Sequence, residues 1–193
     1  MNKTKKITTR DLALGALLTA LVAMLAYFGG FIKIGGLASV SLTLIPVVLG
    51  SALLGPWAGA WLGAVAGGIF FTTADSAFWM SLSVPGTIIT VMVKGIVSGL
   101  LAGLVYKHLE KYNRYMAVLV SAIVCPVVNT GIFLLGCLVF FMDAVNAGAL
   151  EEGISAGAYM ILFYVGLNFV FELIANVVFS PAILRLINIR KKK

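Results

Sequence analysis

The chain has 193 residues, 61% of them hydrophobic and only 11% charged, with a formal net charge of +7. An ordinary soluble domain carries roughly 25% charged residues, and one this small leaves much of its surface in water, so a soluble fold is excluded. The apolar runs are continuous rather than alternating, which excludes an outer-membrane barrel. At about 20 residues per span, the length holds roughly six membrane helices and no further domain. The expectation is an all-α integral membrane protein, a single transmembrane domain over residues 1–193.

In chain order, the first predicted helix covers about 11–28. Its basic flank and apolar run fit the outline of a signal peptide, but the run is longer than a typical h-region and no small-x-small site follows directly. It is read as retained. A loop around Lys33, Gly35 and Gly36 leads to a second helix over 40–54, and Gly55-Pro56 separates it from a third over 57–72. A more polar loop over 73–85 holds Asp75, Ser76 and Trp79. The fourth helix covers 86–106, a basic loop 107–114, the fifth helix 115–141, an acidic loop 142–157, and the sixth helix 158–187.

Charge position orients these elements. Twelve of the fourteen basic residues fall in three clusters: Lys3, Lys5, Lys6 and Arg10; Lys107, Lys111 and Arg114; Arg185, Arg190, Lys191, Lys192 and Lys193. Six spans put all three clusters on one side, the positive-inside pattern, with N- and C-termini cytoplasmic. The short second and third helices also fit a re-entrant hairpin, which leaves the rest of the topology unchanged. The basic balance is thereby explained without nucleic acid, which needs an ordered basic reading face. Cys125 and Cys137 are twelve residues apart on one predicted helix, about 18 Å, too far for a disulfide.

Four segments carry a resemblance: Ala13–Ala23, with Ala16 and Ala20 spaced A-x-x-x-A; Ser41–Gly67, where I-P-x-x-L-G precedes L-L-G-P-x-x-G; Val93–Lys107; and C-P-V-V-N-T-G-I-F-L-L-G-C over Cys125–Cys137. Together they resemble the substrate-binding S component of energy-coupling factor (ECF) vitamin transporters, the last segment looking like the pantothenate-specific branch. The resemblance implies a bacterial plasma-membrane protein that takes a vitamin at the outer face. It also implies partners, a transmembrane coupling subunit and two ATPase subunits, with Ala16 and Ala20 as the docking face. The sequence holds no G-x-x-x-x-G-K-[ST] phosphate loop, and no cofactor is implied.

Lys94 is the most informative side chain, eight positions into its predicted helix and roughly 12 Å from the end. A charge at that depth marks a pathway or a site by default. Either it meets the carboxylate of an anionic ligand, or it snorkels or pairs with Glu172 for structure. Asn168, Glu172 and Asn176 are four apart and share one helix face, and Asn129 follows Pro126 on the neighbouring helix. With Lys94 these amides and the acid suit a small polar molecule, or equally interhelical hydrogen bonds. Trp79 and Tyr164 are candidate walls, with 73–85 and 29–40 as candidate gating loops. Gly59, Gly63 and Gly67 read as internal packing, while Trp57, Trp61 and His108 read as interfacial.

The competing function is a stand-alone carrier in which Lys94 and Glu172 couple ions to transport of a small polar solute. The two halves show no internal repeat to favour it. An intramembrane enzyme lacks a convergent catalytic set, and no metal site is expected around the single histidine.

Overall fold

A computed structural model describes residues 8–29 and 42–191. The predicted loop around Lys33, the start of the second helix at Val40, and Lys3, Lys5, Lys6, Lys192 and Lys193 lie outside them. Among the described residues the chain is helical without strands: α1 (Thr9–Gly29), α2 (Leu44–Leu54), α3 (Pro56–Phe70), α4 (Ala74–Leu82), α5 (Val84–Leu109), α6 (Arg114–Phe140), α7 (Met142–Glu151), α8 (Ala156–Tyr159), a π-helical turn (Met160–Val165) and α9 (Gly166–Lys191).

Local chemistry sets the ends. Thr8 and Asp11 form a reciprocal cap on α1: the Thr8 N–H donates to Asp11 Oδ2 (3.1 Å), and the Asp11 N–H donates to Thr8 Oγ1 (3.2 Å). Gly55 sits at φ 106°, a region closed to other residues, and lets α2 turn into Pro56 at the start of α3. Ser83 accepts from the Gly86 N–H at the head of α5, and Asn113 accepts from the Tyr115 and Met116 N–H groups at the head of α6.

Three predicted elements differ from the observed ones. The expected loop over 73–85 contains the nine-residue helix α4, set at 85° to α3. The Thr72 and Thr73 hydroxyls donate back to the Ile69 and Phe70 carbonyls (both 2.7 Å), closing α3 so that a new helix starts. The expected acidic loop contains α7. The sixth helix is broken, because Gly166 at φ 42° ends the π-helical turn before α9.

Among the described residues four helices are long and apolar enough to cross a membrane: α1, α5, α6 and the Asn168–Arg190 stretch of α9. The bent α3–α4 pair makes a fifth if counted as one span. Large apolar side chains such as Leu17, Leu135, Val139 and Val178 are exposed along them, a surface that lipid covers. The chain is thus a multi-pass membrane protein.

The tightest packing joins α3 to α5. A Cβ on Gly59 would run into the Gly99 carbonyl, and one on Gly63 into the Gly95 carbonyl; Gly103 is held equally close by Pro56. The glycine stripe of the third predicted helix is therefore an internal contact, and its counterpart is a second four-residue glycine stripe on α5. Polar ties gather the opposite ends of the chain. Arg190 bonds Asp11 and donates to the Leu53 carbonyl (2.9 Å), and Arg114 donates to Asn188 Oδ1 (2.8 Å). The starts of α1 and α6 and the ends of α2 and α9 thus meet at one basic end.

Because backbone cannot give way, Gly63→Ala should destabilise the protein by about 1–3 kcal/mol, as overpacking does. Gly68 has open space around it, so Gly68→Ala should be neutral or slightly stabilising. Thermal melting of the two variants in detergent, side by side, checks both.

Candidate functional site

Away from the basic end, α1, α2, α3, α4, α5, α6, the π-helical turn and α9 enclose a cavity of about 160 Å³. Its lining on α5 runs from Thr87 to Ser98, so Lys94 stands roughly 20 Å along the helix from Lys107. The walls are mostly apolar, with polar groups concentrated on α5, α6 and α9.

The structure brings Lys94, Asn129, Asn168, Glu172, Trp79 and Tyr164 to this one cavity. Lys94 is half-buried, and its ammonium lies over the Phe133 ring (5.0 Å to the centroid) and the Phe70 ring (5.9 Å). Among the described residues it forms no ion pair. The Glu172 carboxylate attracts it only at longer range. Asn168 and Glu172 are buried on the α9 wall. Asn176, on the same face, does not line the cavity: fully buried, its amide donates to the Glu172 carbonyl at 2.8 Å.

Trp79 was expected on a gating loop and is instead on helix α4, in an aromatic cluster. Its ring packs edge-on against Phe78 (5.3 Å), Phe133 (5.2 Å), Phe141 (5.3 Å) and Tyr164 (5.0 Å). The Thr87 hydroxyl bonds the Trp79 carbonyl (2.7 Å), fixing α4 to α5. Tyr164 reaches the same cluster from the π-helical turn.

Sequence reasoning missed Phe70, Phe133, Thr90 and Phe141. Two of them had a readable signal: Phe133 lies four residues after Asn129, and Thr90 four before Lys94, so each shares a helix face with a residue already singled out. Asp75, noted only as a loop residue, also lines the cavity.

Ala16 and Ala20 are not at this cavity. They are exposed in a separate groove on the outside of the bundle, between α1, the end of α2 and α3, with Ala23, Ala58 and Trp61. Trp61 Nε1 donates to Thr19 Oγ1 (3.2 Å) across it. Trp57 and Trp61 are both exposed. Cys125 and Cys137 are buried free thiols.

The site is a partly polar cavity within a bundle of apolar, membrane-length helices. The family model for the ECF transporter, substrate-specific component, matches residues 10–186, and the chain belongs to that family. No curated protein matches the chain at a significant level. Membership makes it a substrate-specific transport subunit rather than an enzyme, working with an ECF module on a small-molecule substrate. It favours that role over a stand-alone ion-coupled carrier.

The tryptophans give a direct check on the site. Trp79 is 7% exposed, against 81% for Trp57 and 62% for Trp61. Trp79→Phe should remove the blue-shifted, acrylamide-resistant part of the emission and leave the quenchable part. Loss of the quenchable part instead would contradict the burial of Trp79.

Proposed function

We propose that the protein captures an anionic vitamin or vitamin precursor, pantothenate foremost, in the cavity around Lys94. The observation that carries this reading is a cationic side chain at a mostly apolar cavity with no ion pair of its own among the described residues. A carboxylate meeting that ammonium gains a charge-assisted hydrogen bond in low dielectric. Asn129, Asn168 and Glu172 supply acceptors and amides for the rest of the molecule, and Trp79 and Tyr164 its apolar walls. Pantothenate, with a carboxylate, an amide and a pair of hydroxyls, uses each of these groups. Asp75 adds an acceptor at the α4 wall.

In this reading six helices cross the bacterial plasma membrane as one transmembrane domain, with α2 and α3 as short crossings. The support is that α2 runs from the cavity at Thr43 and Leu44 to the basic end at Leu53, where Arg190 holds its carbonyl, and α3 returns to the cavity at Phe70. An even count keeps both termini on the basic, cytoplasmic side. The cavity then opens toward the outer face, with 29–40 and α4 as the gating elements. Ala16 and Ala20 form the docking face for the transmembrane coupling subunit, which two ATPase subunits drive. Their exposure in an apolar groove supports that role, since small side chains admit a second helix closely.

Fluorescence titration of the purified chain with pantothenate and a panel of other B vitamins and precursors tests the capture. One compound should bind saturably without ATPase partners, and Lys94→Ala should weaken it roughly tenfold or more while the protein still inserts and purifies. Unchanged affinity in that variant would remove Lys94 from the site. Ala16→Trp should leave ligand binding intact and abolish co-purification with the ATPase module; normal co-purification would remove the groove from docking.

A further inference from the structure

Several polar side chains at the cavity are committed to the chain itself. The Thr87 hydroxyl bonds the Ser83 and Trp79 carbonyls (both 2.7 Å), Ser98 the Gly95 carbonyl (3.1 Å), and Thr73 the Phe70 carbonyl (2.7 Å). A polar group inside a membrane helix ordinarily satisfies itself in this way. Asn129 does not. It lines the cavity half-buried, and its side chain forms no hydrogen bond among the described residues.

Its place on α6 shows where that exposure comes from. Ala122 and Cys125, seven and four residues before it, are 0% exposed, and Gly136, seven residues after it, is buried. This face of α6 is turned into the bundle, while Val127, Leu135 and Val139 mark the lipid side. Asn129 is therefore reached through the cavity. Both ends of its amide keep accessible surface, whereas Ser121 Oγ and Asn176 Oδ1 are sealed away. Phe133, whose ring the Lys94 ammonium faces at 5.0 Å, follows Asn129 by one turn, where Cβ atoms are about 5–6 Å apart. One small molecule spans the cation and the amide.

We propose that Asn129 determines specificity by reading an amide of the substrate, so that the cavity selects an anion with a secondary amide a few bonds from its charge, the chemistry of an N-acyl amino acid. The inference deepens the capture reading and rests on it. Asn129 carries an acceptor and a donor at its tip. The acceptor takes the N–H of the ligand's amide, and the donor serves an oxygen on the acyl side. A neutral N–H suits an acceptor this near a lysine, where an ammonium on the ligand would be repelled. A carboxylate with an apolar tail satisfies Lys94 and leaves Asn129 unpaired, the situation in which a polar site discriminates most strongly.

The test is equilibrium binding of pantothenate and of its ester analogue, in which oxygen replaces the amide N–H and the carboxylate is kept. Both are titrated against the intact chain, Asn129→Leu, Asn129→Ala and Lys94→Ala. The intact chain should bind the ester roughly tenfold or more weakly, because the acceptor of Asn129 is then unpaired. The two Asn129 variants should bind both compounds within about threefold of each other. Lys94→Ala should weaken both and keep their ratio. Equal binding of the two by the intact chain, or discrimination that survives in the Asn129 variants, would overturn the reading of the amide and leave the capture site standing. Saturable binding of an amide-free panel compound in place of pantothenate would do the same. Should the intact chain bind no compound, this inference and the substrate site fall together.

Discussion

The contact on which the rest depends is the backbone-to-backbone approach of α3 and α5 at Gly59–Gly99 and Gly63–Gly95. In lipid there is no hydrophobic force drawing two apolar helices together, so close van der Waals contact has to do it. Glycine on both sides allows that contact and fixes the register. Lys94 stands next to Gly95, and Phe70 lies three residues past Gly67, so the register sets the ammonium against the Phe70 ring. The aromatic floor of the cavity follows from a stripe of residues that have no side chains.

This explains which parts of the molecule were legible in the sequence. Long apolar runs and three basic clusters report themselves, because lipid and the positive-inside bias act on composition. The direction a helix faces does not. A helix that is apolar all round has no contrast between its lipid side and its protein side. Ala16–Ala20 and Gly59–Gly63–Gly67 are therefore the same signal in sequence, yet one stripe is exposed in a groove and the other is locked against α5. The polar candidates fared differently: a charge or amide inside an apolar run has few tolerable places, and Lys94, Asn129, Asn168 and Glu172 line one cavity.

What stayed hidden was built from residues that read as loop. Thr72, Thr73, Asp75, Ser76, Ser81, Ser83 and Pro85 break every apolar pattern, yet their hydroxyls and the proline close one helix, start α4 and cap α5. The break at Gly166 was equally unreadable, since a lone glycine in a helical run is usually tolerated and here takes a positive φ. Both irregularities lie at the cavity, where Trp79 and Tyr164 are delivered at angles a continuous helix would not give.

The energetics of Lys94 bind these features into one argument. A lysine at the centre of a membrane helix costs about 2.5–3.5 kcal/mol to insert, even by the lowest scales. A cation over an aromatic face recovers about 0.5–1 kcal/mol at an exposed site and about 2 kcal/mol or more when desolvated. At 5.0 Å and 5.9 Å the Phe133 and Phe70 rings offset part of that cost, and Glu172 contributes attraction without closing to an ion pair. A fully formed Lys94–Glu172 bridge would have satisfied the charge and left nothing for a ligand. A bare lysine in hydrocarbon would have been too costly to keep in place. The two aromatic rings lie between these limits: with the longer-range attraction of Glu172, they hold the cation inside the bundle at the cavity.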